Sequence, residues 1–582
     1  MHKSALLFGT CLLGLSLSGC AFLQDNQESQ STSSPDDVTA SSAEPSPDIR
    51  YADFEPEELY LLLSGEIAAQ RGRFDVTLVN YMKAAQQSRD LGVIERTMRI
   101  AQSLNADNAQ QKLAELWLDV DPDNIQAHRI SAIQAVKKNE LETALGHMEQ
   151  IMDQGGDADF DSLAAMAGNL PLEQQQELLD LYQQLEQRHP QNPELQYSIA
   201  LLMKVTGAPL QALAELEPLL DRKPDFQPAL ILKGDLLYQT DQKQQALDHL
   251  RANTRQFPGN RQMGTLYGRM LISEGELQAA QNEFRRLVKR FPDVPGLRLS
   301  HALVALENDQ IALAEEELTR LIEQGHHSDE AHYYLGRIAD EENENEQAIG
   351  YYRNVEKGNY YFPALARASE LMAEQGKLDE ALADIRNIRR NNPDQDENFR
   401  LLEINLLLDR DHDEQALQAA NEALESFPGN VRIRYARAML LDSMEKPEQA
   451  EADLRRIIEE QPDNAVALNA LGYILTTRTD RLDEARDYIE RALAIDPENP
   501  AILDSMGWVL YLQGNTNEAL DYLSRAWEAY ADPEVAAHYG EALWQTGKRE
   551  QARTIWKEGL EQDPDHPILT ETVERLTGEP SL

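Results

Sequence analysis

The sequence predicts an all-α solenoid of roughly 13–15 stacked helix pairs. Three observations carry that prediction. Prolines recur: Pro190, Pro224, Pro258 and Pro292 are 34 residues apart, and Pro393, Pro428, Pro462, Pro497, Pro533 and Pro564 continue at 31–36. Alanines run in a second register: Ala212, Ala246, Ala280, Ala314, Ala348, Ala381, Ala416, Ala450, Ala485, Ala519 and Ala552, never leaving a spacing of 33–35. Between them the apolar residues fall at helical intervals, in a chain of 582 residues that is too long for one core.

Residues 1–19, MHKSALLFGTCLLGLSLSG, carry Lys3 ahead of an apolar run. That run is too short to span a bilayer, which needs about 20 residues, and it reads as a signal peptide. Leu17-Ser18-Gly19-Cys20 resembles the bacterial lipobox. The resemblance implies cleavage before Cys20 and lipidation of its thiol and new amine. Three acyl chains exceed the single chain that gives only reversible membrane binding. Ala21 stands where an Asp would signal retention in the inner membrane, so the resemblance implies an outer-membrane anchor with the body facing the periplasm.

Residues 20–52 follow as the lipidated cysteine and a tether. "DNQESQSTSSPDDVTASSAEPSPD" has no apolar period and is expected to be disordered, with a root-mean-square reach of about 30 Å. Cys11 and Cys20 are the only cysteines, and Cys11 leaves with the signal peptide. The mature body therefore has no thiol for a disulfide or a Cys-based metal site.

Residues 53–152 read as degenerate helical repeats: Gly65, Gly72 and Tyr81 hold the register although Thr77 replaces the expected alanine, and Ala132, Ala144 and Met148 follow. Residues 153–190 open on "DQGGDADFDSLAAMAGNL" and are expected to be an irregular, hinge-like segment. Residues 191–567 are the regular array. In "AILDSMGWVLYLQGNTNEALDYLSRAWEAYADP", Gly507 permits close helix packing, Gly514 takes the turn, Ala519 nests the second helix on the first, and Leu523 and Ala526 continue the buried face. The next unit offers Gly540, Gly547, Ala552 and Trp556. Residues 568–582 form a final helix end and tail.

These residues resemble the tetratricopeptide repeat, a 34-residue helix–turn–helix unit. The resemblance implies a superhelical solenoid with a groove for a protein segment, and no catalytic residues of its own. In that register, motif positions 2, 5, 9 and 12 of each first helix point inward. In the last three repeats these include Asn469, Tyr473, Asp504, Trp508, Tyr511 and Trp544; Tyr333, Arg337 and Asp340 form a smaller strip midway. Aromatic anchors dominate interface energetics, so these residues are the candidate binding surface; the alternative is that they pack within the superhelix or against the last helix.

The formal charge is −47, from 54 Lys and Arg against 101 Asp and Glu. Such a chain repels nucleic acid; the charge either favours partners with basic patches or only keeps a long, open surface soluble. Motifs for chemistry are missing: there is no HExxH, no Walker A loop and no GxSxG elbow. Asp157, Asp159 and Asp161 mimic the start of a calcium loop, but Ser162 and Gly168 stand where that loop needs Gly and Glu. His326-His327 and the Glu341–Glu346 cluster read as a helix end and a solvated turn. No cofactor, metal or nucleic acid is expected.

The combined plan of lipobox, tether and long acidic array resembles the outer-membrane lipoprotein adaptors that serve a periplasmic carboxyl-terminal processing protease. The stretches carrying this are "GRFDVTLVNYMKAAQQSRD", "DSMGWVLYLQGNTNEALDYL" and "DPEVAAHYGEALWQTGKREQARTIW". The resemblance implies that the protein binds the protease and delivers substrates such as hydrolases of peptidoglycan cross-links. A second family with a similar plan assembles outer-membrane proteins or secretion machines, but its members are shorter.

Overall fold

The structure, a computed structural model, describes residues 54–578. The expected signal peptide, the expected lipidation site Cys20 and the expected tether lie outside the described residues. Those described form thirty-one α-helices and two short 3-10 turns, with no strand among them. The pattern is the expected all-α solenoid of consecutive helix pairs.

Packing divides the described residues into two units, one holding residues 54–166 together with 176–189, the other 167–175 together with 190–578. The first unit contains the pairs Pro56–Gln70 with Phe74–Ser88, Leu91–Ser103 with Asp107–Val120, and Ile125–Lys137 with Leu141–Asp153. Thr77, in the alanine position, is buried, and its hydroxyl donates to Gly65 O at 3.2 Å, which satisfies the polar atom that the substitution brings inside. The segment 153–190 is largely helical, with helices Phe160–Met166 and Leu172–Arg188. Phe160 and Tyr182 are fully buried against each other edge to face, and the Tyr182 hydroxyl donates to Phe160 O at 2.8 Å.

The second unit runs from the pair Pro193–Val205 and Pro209–Arg222 to the pair Pro533–Gln545 and Arg549–Gln562, and Pro567–Thr577 closes it. Each helix packs on its pair mate and on the following pair, and first helices also touch the first helices of neighbouring pairs. They therefore occupy the closely spaced side of the stack.

Local chemistry sets the boundaries. The turn inside most pairs places one residue in the left-handed region: Gly514 at φ 87° and Gly547 at φ 82°, with Asp241, Asp309, Asn343 and Asp411 elsewhere, whereas the turn after Ala465–Arg478 leaves through an extended Thr479. Asn and Asp tolerate that region better than other side chains, which is why they replace glycine there. Several entries into the next pair are capped by asparagine: the side chains of Asn260, Asn430 and Asn464 accept the backbone N–H of Met263, Ile433 and Ala467 at 2.8–3.0 Å. Close approach is enforced inside the pair. A Cβ on Gly507 would lie 2.5 Å from Leu523 Cγ, and one on Gly540 would run into the Trp556 indole.

One pair is irregular. Its second helix, Asn345–Arg353, has 9 residues where the other second helices of this unit have 13 or 14. A loop replaces the missing turn. It is pinned by Asp329, whose carboxylate accepts the backbone N–H of Glu356 at 2.7 Å and of Lys357 at 3.3 Å.

Candidate protein-binding face of the last repeats

Four of the sequence-predicted residues come together on the first helices Ala465–Arg478, Pro500–Leu512 and Pro533–Gln545. Trp508 lies at the centre. Its ring stacks on His538, with centroids 4.1 Å apart and planes 16° from parallel, and on Tyr511 at 5.1 Å and 20°. Beneath it the buried Asp504 carboxylate meets His538 Nδ1 at 2.9 Å. Tyr473 sits 6.3 Å from the same imidazole, and its hydroxyl donates to Glu534. The Tyr511 hydroxyl donates to Glu541 at 3.2 Å, and Arg575 of the closing helix pairs with the other Glu541 oxygen.

The charges are organised by these contacts. Burial opposes protonation of His538, but Asp504, with Glu534 and Glu541 behind it, outweighs the burial and holds the imidazole above its usual pKa. The stacked Trp508 face is a favourable neighbour for the resulting cation. Burial, and then Glu534, raises the Tyr473 phenol well above its usual value. Burial and Glu541 push the Tyr511 phenol up to about 12. Both phenols are neutral donors at physiological pH.

Two predicted residues stand apart. Asn469 is half-buried one turn before Tyr473, with an Oδ1 that has no hydrogen-bond partner. Trp544 turns toward its own pair mate and packs on Trp556 at 5.5 Å, covered by the guanidiniums of Arg549 and Arg553. The midway strip is a separate cluster. Tyr333 stacks on Tyr360 at 4.6 Å, Arg337 lies over Tyr334 and pairs with Glu341, and Asp340 takes a two-pronged contact from Arg367 at 2.7 and 3.0 Å.

Sequence reasoning missed His538, Glu534, Glu541 and Arg575. Glu534 and Glu541 occupy register positions 2 and 9 of their helix, so the rule that found Tyr473 and Trp508 also reaches them. His538 falls at position 6, outside the rule, and Arg575 lies beyond the last full repeat. The face presents the partly exposed rings of Tyr473, Trp508 and Tyr511 and the partly exposed Glu534, while Asp504, His538 and Glu541 are buried in its support. Ser505, beside Asp504, donates its hydroxyl to Ala501 O at 2.9 Å rather than to His538.

The family models and a curated relative agree with this architecture. Tetratricopeptide-repeat family models match residues 299–360, 365–431 and 435–500, and also 478–538 and 510–570. A TPR repeat-containing protein of Pseudomonas aeruginosa, PA4667, is 39% identical over 579 residues, covering 99% of this chain and 97% of that one. Among solved structures, a tetratricopeptide repeat protein from Parabacteroides merdae is 16% identical over 43% of this chain and 99% of its own, with a TM-score of 0.35. A thermophilic TPR protein of Thermus thermophilus is 18% identical over 31% of this chain and 100% of its own, at 0.29. With repeat models across its C-terminal half and a relative aligned nearly end to end, this chain belongs to the tetratricopeptide-repeat protein family.

Proposed function

We propose that this protein is a non-catalytic, lipid-anchored adaptor of the bacterial periplasm. It binds a carboxyl-terminal processing protease and delivers substrates to it, among them hydrolases of peptidoglycan cross-links. The observation that carries the adaptor reading is the Trp508 face. Consecutive first helices present a continuous aromatic and carboxylate surface there, positioned by its own hydrogen bonds, as protein recognition requires. The protease and the hydrolases enter from the resemblance of the whole plan to adaptors of that kind. Anchoring and location rest on the lipobox and on Ala21.

The mechanism is a rise in local concentration. An adaptor that holds protease and substrate at once turns their encounter into an intramolecular event. The first test uses residues 21–582 as bait in a detergent extract of the source cell's envelope, with bound proteins identified by mass spectrometry. Recovery of the protease with cell-wall hydrolases, followed by faster cleavage of those hydrolases when the adaptor is added to purified protease, is the expected result. Recovery of β-barrel assembly or secretion components without the protease refutes the protease reading and leaves the scaffold in the service of assembly. Mutually exclusive binding of protease and substrate refutes the mechanism.

A further inference from the structure

The charge is unevenly distributed. Residues 251–290 hold eight Lys and Arg against three Asp and Glu, a formal +5 inside a chain of −47. Two of those three carboxylates are already engaged, Glu274 by Lys243 at 2.9 Å and Glu283 by Arg286 at 2.5 Å. Arg255, Arg261, Lys289 and Arg290 are exposed and make no ion pair among the described residues. Arg255 and Lys289 are 34 residues apart, in the last turns of the equivalent second helices Lys243–Gln256 and Leu277–Arg290. The repeat therefore sets them side by side along one edge of the stack.

Helix stability does not account for the row. A cation in a last turn does suit the helix dipole. However, the second helices Asp413–Ser426, Pro447–Glu460, Leu482–Ile495 and Thr516–Ala529 all end without one, and where Ile311–Glu323 and Asn345–Arg353 carry one it is paired, Arg320 with Glu316 and Arg353 with Asp384. Arg261 stands at the first position of Arg261–Ser273, where the dipole disfavours a cation.

We propose that this edge, centred on Arg255, Arg261, Lys289 and Arg290, is a docking ridge for an acidic segment of a partner protein. Screening confines the ridge's field to about 8 Å at physiological salt, and the surrounding chain is strongly negative. A broad acidic surface is repelled by those surroundings, whereas a narrow segment reaches the ridge alone. A bilayer is the poorer occupant. It is broad and anionic, and no exposed large apolar side chain lies between Leu210 and Val466 to enter it. Guanidiniums make two-pronged contacts with carboxylates, which gives the ridge geometric selectivity as well as attraction. This inference does not depend on which protease or hydrolase the protein serves.

The test uses the full chain carrying Cys20→Ser, so that no lipid is attached. The ridge variant adds Arg255→Glu, Lys289→Glu and Arg290→Glu. A control adds Lys83→Glu, Arg99→Glu and Lys112→Glu, exposed cations of the first unit that give the same net charge. The probe is a fluorescent poly-L-glutamate peptide followed by anisotropy at low salt, with circular dichroism to confirm that all three proteins fold alike. Saturable binding by the parent and the control, weakened at least about tenfold in the ridge variant, supports the proposal. Equal binding by all three proteins, or binding by none, overturns it. If the ridge variant loses instead only co-sedimentation with phosphatidylglycerol vesicles, a membrane is the occupant. If it loses only self-association, a second copy is.

Discussion

Asp504→Asn removes the negative half of the pair buried under Trp508. Asp504 and His538 are 5% and 3% exposed, with Nδ1 and Oδ2 2.9 Å apart. Breaking a buried ion pair by removing one partner costs about 3–5 kcal/mol. A neutral Asn–His hydrogen bond returns about 1 of that, leaving an expected loss of about 2–4 kcal/mol. Replacing both members with apolar residues, Asp504→Leu with His538→Phe, is expected to fall within about 1 kcal/mol of the parent.

The pair also sets a pH dependence. The folded imidazole is held above its unfolded value, so the folded state binds the extra proton. The stability it contributes is fully present below about pH 6.5 and is lost as pH rises through the folded value, at up to about 1.4 kcal/mol per unit. Four of the five tryptophans, at 508, 527, 544 and 556, lie in the last repeats, so intrinsic fluorescence during guanidinium unfolding reports on this end of the array. In the parent the C-terminal transition is expected to move to lower denaturant as pH rises above 6.5, and in Asp504→Asn that slope is expected to vanish. Equal slopes in the two proteins, or an unchanged midpoint at pH 6, would refute the reasoning.

Further outcomes follow from other contacts. Gly540→Ala drives a methyl into the Trp556 indole and is expected to cost about 1–3 kcal/mol by the same fluorescence assay, partly restored by adding Trp556→Phe. Tyr473→Phe takes the hydroxyl from Glu534 and is expected to lower the unfolding free energy by about 1 kcal/mol, with the far-UV spectrum unchanged. Trp508→Ala is expected to weaken capture of the protein partner by about 2 kcal/mol, roughly 30-fold, while Trp508→Phe keeps most of it, both measured by titration against the purified partner. Cys20→Ser is expected to move the protein from the sedimented envelope to the soluble fraction, read by fractionation and immunoblot.

The solenoid was legible because each repeat solves the same packing problem and so writes the same residues. The alanines mark where the second helix nests, and Gly514 or Asp309 marks a left-handed turn. The irregular pair escaped notice because Ala348 keeps the register while the missing turn lies after it, at Arg353, where the motif constrains nothing. Trp508 and Tyr511 were legible as a face because register fixes the direction of a side chain on a helix. Register does not fix partners. Trp544 occupies an inward position yet packs on Trp556, since only the closing helix lies beyond its pair. Glu534 and Glu541 were hidden by abundance: in so acidic a chain, a carboxylate at an inward position looks like one more solvated charge.

The hydrogen bond from Tyr473 to Glu534 joins the first helices of two pairs with a third pair between them. Stacked pairs that touch only their neighbours behave as a coil spring, each junction opening a little under load. A strut that skips a junction cannot lengthen without breaking, so it stiffens everything it bridges. The Asp504–His538 contact ties the nearer junction on the same side. A partner pulling on the far end of the array would therefore meet compliant pairs first and, in the last three, something close to a handle.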